Sequence, residues 1–140
     1  MKKNLLFLLL LLGVVFSSCK KDTPAVDARD KFVGNYQGTF IYQYSGDTPN
    51  SSTETHSISK SSSNSNQIII DGRVANVSGN SYTYVQFTEI QQDPTYGAVT
   101  ITLNGVGTLN GSNLTESGTF TTIVQGTALD GTWSSNLVKQ

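Results

Sequence analysis

The sequence predicts an all-β domain, an antiparallel up-and-down meander of about eight strands with a β-sandwich as the alternative, and three observations predict it. From Cys19 onward the chain holds 34 Val, Ile and Thr residues and six Tyr, side chains that suit a pleated, half-buried backbone better than a helix. No stretch beyond Phe32 repeats its apolar residues at the helical period of about 3.6. Clusters of Gly, Asn, Asp and Ser interrupt the chain roughly every 8 to 12 residues, the rhythm of strands joined by turns. With 140 residues, 36% hydrophobic, the chain is one small domain with a thin core. Charged residues make up only 14% and the net charge is -1, so there is no basic surface for gripping phosphates and nucleic acid is excluded as an expected partner.

The first element is an address. Met1, Lys2 and Lys3 precede the apolar run Leu5 to Phe16, which is broken only by Gly13. A basic start followed by a run of about 12 apolar residues matches a secretory signal and is too short to cross roughly 30 Å of hydrocarbon. The run ends in Phe16-Ser17-Ser18-Cys19, and Cys19 is the only cysteine in the chain. This junction resembles a bacterial lipobox. The resemblance implies cleavage after residue 18, a diacylglyceryl group on the Cys19 sulfur and an acylated new amino terminus, a permanent membrane anchor because several acyl chains act together. With Lys20 rather than an acid after the cysteine, it also implies delivery to the outer membrane of the cell envelope. Residues 19–31 read as a flexible tether, with alternating charges, Pro24 and no apolar period.

The domain spans residues 32–140. Tyr36 to Tyr44 alternates, placing Tyr36, Phe40, Tyr42 and Tyr44 on one face. Further strands are expected over Thr53 to Lys60, Gln67 to Ile70, Arg73 to Val77, Ser81 to Ile90, Ala98 to Leu103, Leu114 to Val124 and Leu129 to Val138. Ser45-Gly46-Asp47, Asp71-Gly72, Ser78-Gly79-Asn80, Asp93-Pro94 and Asn110-Gly111 supply the backbone freedom of tight reversals. Ser51 to Asn66, with eight Ser in sixteen residues, reads as a weak strand beside a long mobile loop. Gly-Thr pairs at Gly38, Gly107, Gly118, Gly126 and Gly131 read as bends or close approaches inside strands.

Phe32-Val33-Gly34-Asn35-Tyr36, the run from Gly105 to Leu114 and the closing Gly131-Thr132-Trp133 resemble small lipocalin-like lipoproteins of bacteria. The resemblance implies a closed barrel, its base packed by an aromatic ring and a cation, around an interior for a small hydrophobic ligand. Here Gly34-Asn35-Tyr36 stands where lipocalins carry Gly-x-Trp, and Lys139 stands in place of an arginine near the end of the last strand.

Enzymatic chemistry is not expected. His56 is the only imidazole and lies in the Ser-rich stretch; with Glu54 it shares a strand face but falls short of a metal site of three or four ligands, and the two read as an exposed polar pair. Asp71, Glu89, Asp93, Glu116 and Asp130 read chiefly as turn acids bonding their own backbone. No metal and no cofactor are implied. The aromatic residues lead instead: Tyr36, Phe40, Tyr42, Tyr82, Tyr84, Phe120 and Trp133, with Phe87, either fill the barrel or line a cavity for a small amphipathic ligand. The expected function is a lipid-anchored, non-enzymatic envelope barrel that holds a small hydrophobic molecule; the alternative is a surface module contacting glycan or protein.

Overall fold

The computed structural model describes residues 26–140; the expected signal, Cys19 and the start of the expected tether lie outside them. Of the described residues 71% are in strands and none is in a helix, and nine antiparallel up-and-down strands form one sheet that closes into an uneven barrel. The strands are β1 (Gly34–Tyr44), β2 (Asn50–Lys60), β3 (Gln67–Ile70), β4 (Arg73–Ser78), β5 (Ser81–Tyr84), β6 (Phe87–Asp93), β7 (Gly97–Asn110), β8 (Asn113–Val124) and β9 (Thr127–Lys139). Neighbours in sequence pair with one another except β5 and β6, which lie end to end along β7. The ring closes where β1 runs beside β9, from Tyr36↔Lys139 to Tyr44↔Gly131.

The five expected turns all connect strands, and Asp71 (φ 48°) with Gly72 (φ 85°) shows why Asp-Gly was needed there: a two-residue reversal of this hand requires positive φ at both positions. Gly126 differs from the expectation. It is not inside a strand but forms the β8–β9 hairpin with Gln125, both at positive φ.

The stretch expected as one strand, Ser81 to Ile90, is two. Between the pairs Thr83↔Val106 and Phe87↔Leu103, three residues on this side face two on β7, which is a β-bulge. Its consequence is a change of phase. Tyr82 and Tyr84 point inward before it, and Phe87 and Glu89 point inward after it. An unbroken strand would have turned either the tyrosines or the phenylalanine to solvent, because the side-chain period is two.

Ser51 to Asn66 is also firmer than expected. β2 pairs with β1 over nine consecutive positions, Gly34↔Ile58 through Tyr42↔Asn50. The loop after it is pinned from outside the barrel by Arg29, whose Nη1 donates to the backbone oxygens of Ser61 (3.0 Å) and Asn64 (2.9 Å). Arg29 is itself held by Asp27 at 2.7 Å, and Lys60 reaches Asp30 at 2.5 Å. Asp27, Arg29 and Asp30, at the end of the expected tether, thus contact the barrel.

The base of the barrel is dry. Phe32, Tyr36, Ile58, Ile68, Ile70, Tyr82, Leu114 and Leu137 are each no more than 2% exposed. Phe32 meets Tyr82 edge to face at 5.5 Å between ring centres. Tyr36 lies in register with Lys139, whose Nζ stands 5.8 Å from the centre of its ring and donates to the Lys31 carbonyl at 3.2 Å. Lysine on tyrosine therefore packs the closed end. The inward glycines are sockets for rings: a Cβ on Gly107 would collide with the Tyr82 phenol, and one on Gly105 with the Trp133 indole.

Candidate functional site

Above the dry base lies a polar layer that the sequence had placed at the surface. Glu116 is inward on β8, between Leu114 and Gly118, and its side chain is wholly shielded from solvent. It is no turn acid: its burial follows from the strand's alternation, and four groups converge on its carboxylate. Tyr82 Oη donates to Oε1 at 2.5 Å and Tyr84 Oη to the same oxygen at 2.7 Å. Ser135 Oγ donates to Oε2 at 2.5 Å, and His56 Nε2 lies 3.3 Å from Oε2.

His56 is not an exposed partner of Glu54 either, since only 4% of it is accessible. β2 is anchored along β1, and its even positions Glu54, His56 and Ile58 turn inward. The other ring nitrogen, Nδ1, bonds Asp71 Oδ2, while Asp71 Oδ1 accepts the Ser57 amide at 2.8 Å. The Asp71 amide in turn donates to the Ser57 carbonyl at 3.1 Å, so the carboxylate extends the β2–β3 ladder by one rung and holds the imidazole at the same time.

The electrostatics follow from these contacts. Burial by itself would discharge His56, but the facing Glu116 carboxylate, then Asp71 and Glu54, outweigh it and raise its pKa to about 9. Burial would push Glu116 up, yet the contacts from His56, Ser135 and Tyr82 hold it below the usual carboxylate value. Burial, reinforced by the Glu116 charge, pushes the Tyr82 and Tyr84 hydroxyls far above the ordinary phenol range. The layer is therefore an imidazolium clamped between carboxylates, with two phenols that keep their protons.

This layer borders a cavity of about 450 Å³. Its aromatic wall is Phe40, Tyr42, Tyr44, Tyr84, Phe87, Phe120 and Trp133, and its polar wall is Glu54, His56, Arg73 and Glu89. Of the seven residues expected to contact a ligand, Phe40, Tyr42, Tyr84, Phe120 and Trp133 line this space. Tyr36 and Tyr82 do not; they are packed into the dry base. The rings are braced against each other, Tyr44 against Phe120 at 5.0 Å and Tyr84 against Trp133 at 5.9 Å, both edge to face. Trp133 Nε1 is used by the Asn104 carbonyl at 3.0 Å, so the indole offers the cavity its ring rather than its donor.

Arg73 bridges to Glu89 at 3.4 Å and lays its guanidinium 4.6 Å from the Phe87 ring centre. Towards solvent, Tyr44 and Thr122 also line a wider depression of about 780 Å³ whose other walls include Asp47, Asp93, Tyr96 and Asp130. Sequence reasoning missed the polar wall. Glu54 and His56 were visible as a same-face pair, and the alternation Leu114, Glu116, Gly118, Phe120 was the signal that placed Glu116 inside. Compared with known proteins, the chain matches no protein-family model and no curated protein.

Proposed function

We propose that the chain is a lipid-anchored envelope protein of lipocalin-like type whose barrel binds a small amphipathic molecule and performs no chemistry on it. One observation carries the binding reading: a cavity of about 450 Å³ walled by seven aromatic side chains on one part of its surface and by four ionisable ones on another. That size and that mixture are those of ligand sites, which are mostly apolar with a few polar groups for orientation. The Tyr36–Lys139 packing at the closed end supports the lipocalin-like reading in a substituted form. A sugar-stacking surface is less well supported, because Tyr96 is the one exposed aromatic residue among the described residues. Anchoring rests on the signal and on Cys19, which lie outside the described residues.

Trp133 is the only tryptophan in the chain and lines the cavity, so its fluorescence reports occupancy directly. Titration with a panel of small amphipathic molecules and of soluble glycans is expected to give saturable changes with the former alone. A flat response to every amphipathic compound overturns the binding reading. For the anchor, Cys19→Ser is expected to leave an uncleaved precursor that incorporates no fatty acid; normal processing of that variant overturns it.

A further inference from the structure

The charges around the cavity are not balanced, and the imbalance names a ligand class. His56 is spoken for on both nitrogens, by Asp71 on Nδ1 and by Glu116 at 3.3 Å from Nε2. Arg73 is engaged by Glu89 at 3.4 Å. Glu54 is left over. Its Oε2 is closed off from solvent with no hydrogen-bond partner among the described residues, and at 3.6 Å from His56 Nε2 it is further from that single proton than Glu116 is. The Glu54 side chain as a whole is 32% accessible and lines the cavity, so an ammonium in the cavity can pair with this carboxylate from its open side, where no cation of the described residues does; a carboxylate left without a close partner in such a place is costly, on the order of 1–3 kcal/mol. The outer depression points the same way, since Asp47, Asp93 and Asp130 line it and no Lys or Arg does. Carboxylates at a mouth raise the local concentration of cations.

The aromatic wall selects in the same sense. Phe40, Tyr42 and Trp133 border the same space as Glu54, and ring faces attract cations, by about 0.5–2 kcal/mol when water is excluded. An anion would meet Glu54, Glu89 and the ring faces together, with both nearby cations already paired.

We infer that the ligand is a small amphipathic amine, its ammonium taken by Glu54 and its apolar body laid against the aromatic wall. This rests on the cavity reading above and adds the sign of the charge. The test is a matched trio of equal size, 2-phenylethylamine, 2-phenylethanol and phenylacetate, and its decyl counterpart, decylamine, decanol and decanoate, titrated against Trp133 fluorescence and by calorimetry. The amines are expected to bind at least tenfold more tightly than the alcohols, with the carboxylates weakest. In Glu54→Gln the amine affinity is expected to fall to that of the alcohol, while the alcohol stays within about twofold of wild type, which also shows that the cavity is intact. Equal affinity of amine and alcohol in the wild type, or unchanged amine affinity in Glu54→Gln, overturns the amine assignment and leaves the cavity reading standing. Should the variant lose the alcohol too, the wild-type ratio alone decides. Failure of all six compounds to bind overturns the cavity reading and this inference with it.

Discussion

Replacing Glu116 by Gln removes one charge and almost no volume, so it isolates the electrostatic role of the buried carboxylate. In the wild type, Oε1 accepts from two phenols, and Oε2 accepts from Ser135 and faces the His56 Nε2 proton. An amide has one accepting oxygen. Whichever way it is turned, its NH₂ points at groups that were donors. With the NH₂ on the Oε2 side, Ser135 can rotate its hydroxyl to accept and His56 relieves the clash by releasing its proton; with the NH₂ on the Oε1 side the phenols must turn to accept, and either way the negative charge that held the imidazolium is gone. Holding the imidazolium to about 9 rather than 6.5 corresponds to on the order of 3 kcal/mol of stability, at about 1.4 kcal/mol per pH unit. Breaking a buried ion pair from one side costs about 3–5 kcal/mol, a large share of the roughly 5–15 kcal/mol that holds a domain folded.

The sign is fixed by the direction of each shift. The His56 pKa is raised, so its contribution is complete below about 6.5 and is lost as pH rises through about 9. The Glu116 pKa is lowered, so its contribution is present above the ordinary value of 4.5 and is lost as pH falls. Wild-type stability should therefore be greatest between those limits and decline on the alkaline side. In Glu116→Gln the alkaline decline should flatten. His56 is the only histidine, so its ring-proton NMR signal needs no assignment. The expected midpoint is near 9 in the wild type and lower by at least about one pH unit in the variant, with urea denaturation at pH 6 and pH 9 giving the stability difference. A wild-type midpoint near 6.5, or a variant midpoint equal to that of the wild type, refutes the clamp.

Three further perturbations probe the parts that frame the cavity. Phe32→Ala should cost about 3–5 kcal/mol in urea denaturation, because the ring is fully buried against Tyr82; a loss below about 1 kcal/mol would mean that residues before β1 do not close the base. Gly107→Ala drives a methyl into the Tyr82 phenol and should destabilise by about 1–3 kcal/mol through overpacking, read by urea denaturation; a neutral variant contradicts the socket. Arg29→Ala removes the donor shared by Ser61 and Asn64 and should raise amide exchange within residues 61–67 while leaving the thermal midpoint within a few degrees, since the pinned loop is largely exposed. Exchange that is unchanged there would show that the loop holds itself.

How much of this was legible in the sequence depended on whether the signal was local. Turn chemistry is local, so Asp71-Gly72 and Asn110-Gly111 marked hairpins correctly. Alternation is local too, and it put Tyr36, Phe40, Tyr42 and Tyr44 on one face, the one that the barrel turns inward. The bulge at Val85 and Gln86 was hidden because nothing but a change of inward phase announces it, and that phase is defined by β7, a strand formed later in the chain. Glu116 and His56 were misjudged for a related reason. A lone acid or histidine defaults to solvent, and burial becomes admissible only when partners arrive from other strands, here Tyr82 and Tyr84 on β5, Asp71 in the β3–β4 turn and Ser135 on β9. The Ser-rich composition of β2 argued for looseness, yet what stabilises that strand is its ladder to β1, and ladders do not depend on apolar side chains.

The cavity itself follows from unequal strand lengths. β2 and β7 run 11 and 14 residues, but the hairpin set between β2 and β5 contributes strands of only four and six. β2 meets β3 only through Ile58–Lys60, so the upper part of β2 and the outer edge of β6 have no strand to bridge them. Backbone pairing seals the lower half, where the wall-to-wall space is filled by the buried aliphatic and aromatic core. In the upper half side chains must do it, and the Arg73–Glu89 pair joins the start of β4 to β6 beside Phe87. The polar layer sits where the two regimes meet. A layer of aliphatic side chains there could slide up into the vacant half; charge-assisted bonds have fixed lengths and directions, so Glu116, His56 and the two phenols hold a floor that an apolar core would not. On this view the hollow is maintained by these buried charges, and Glu54, the one carboxylate of the group with an oxygen that lacks a donor, lines the space that they keep open.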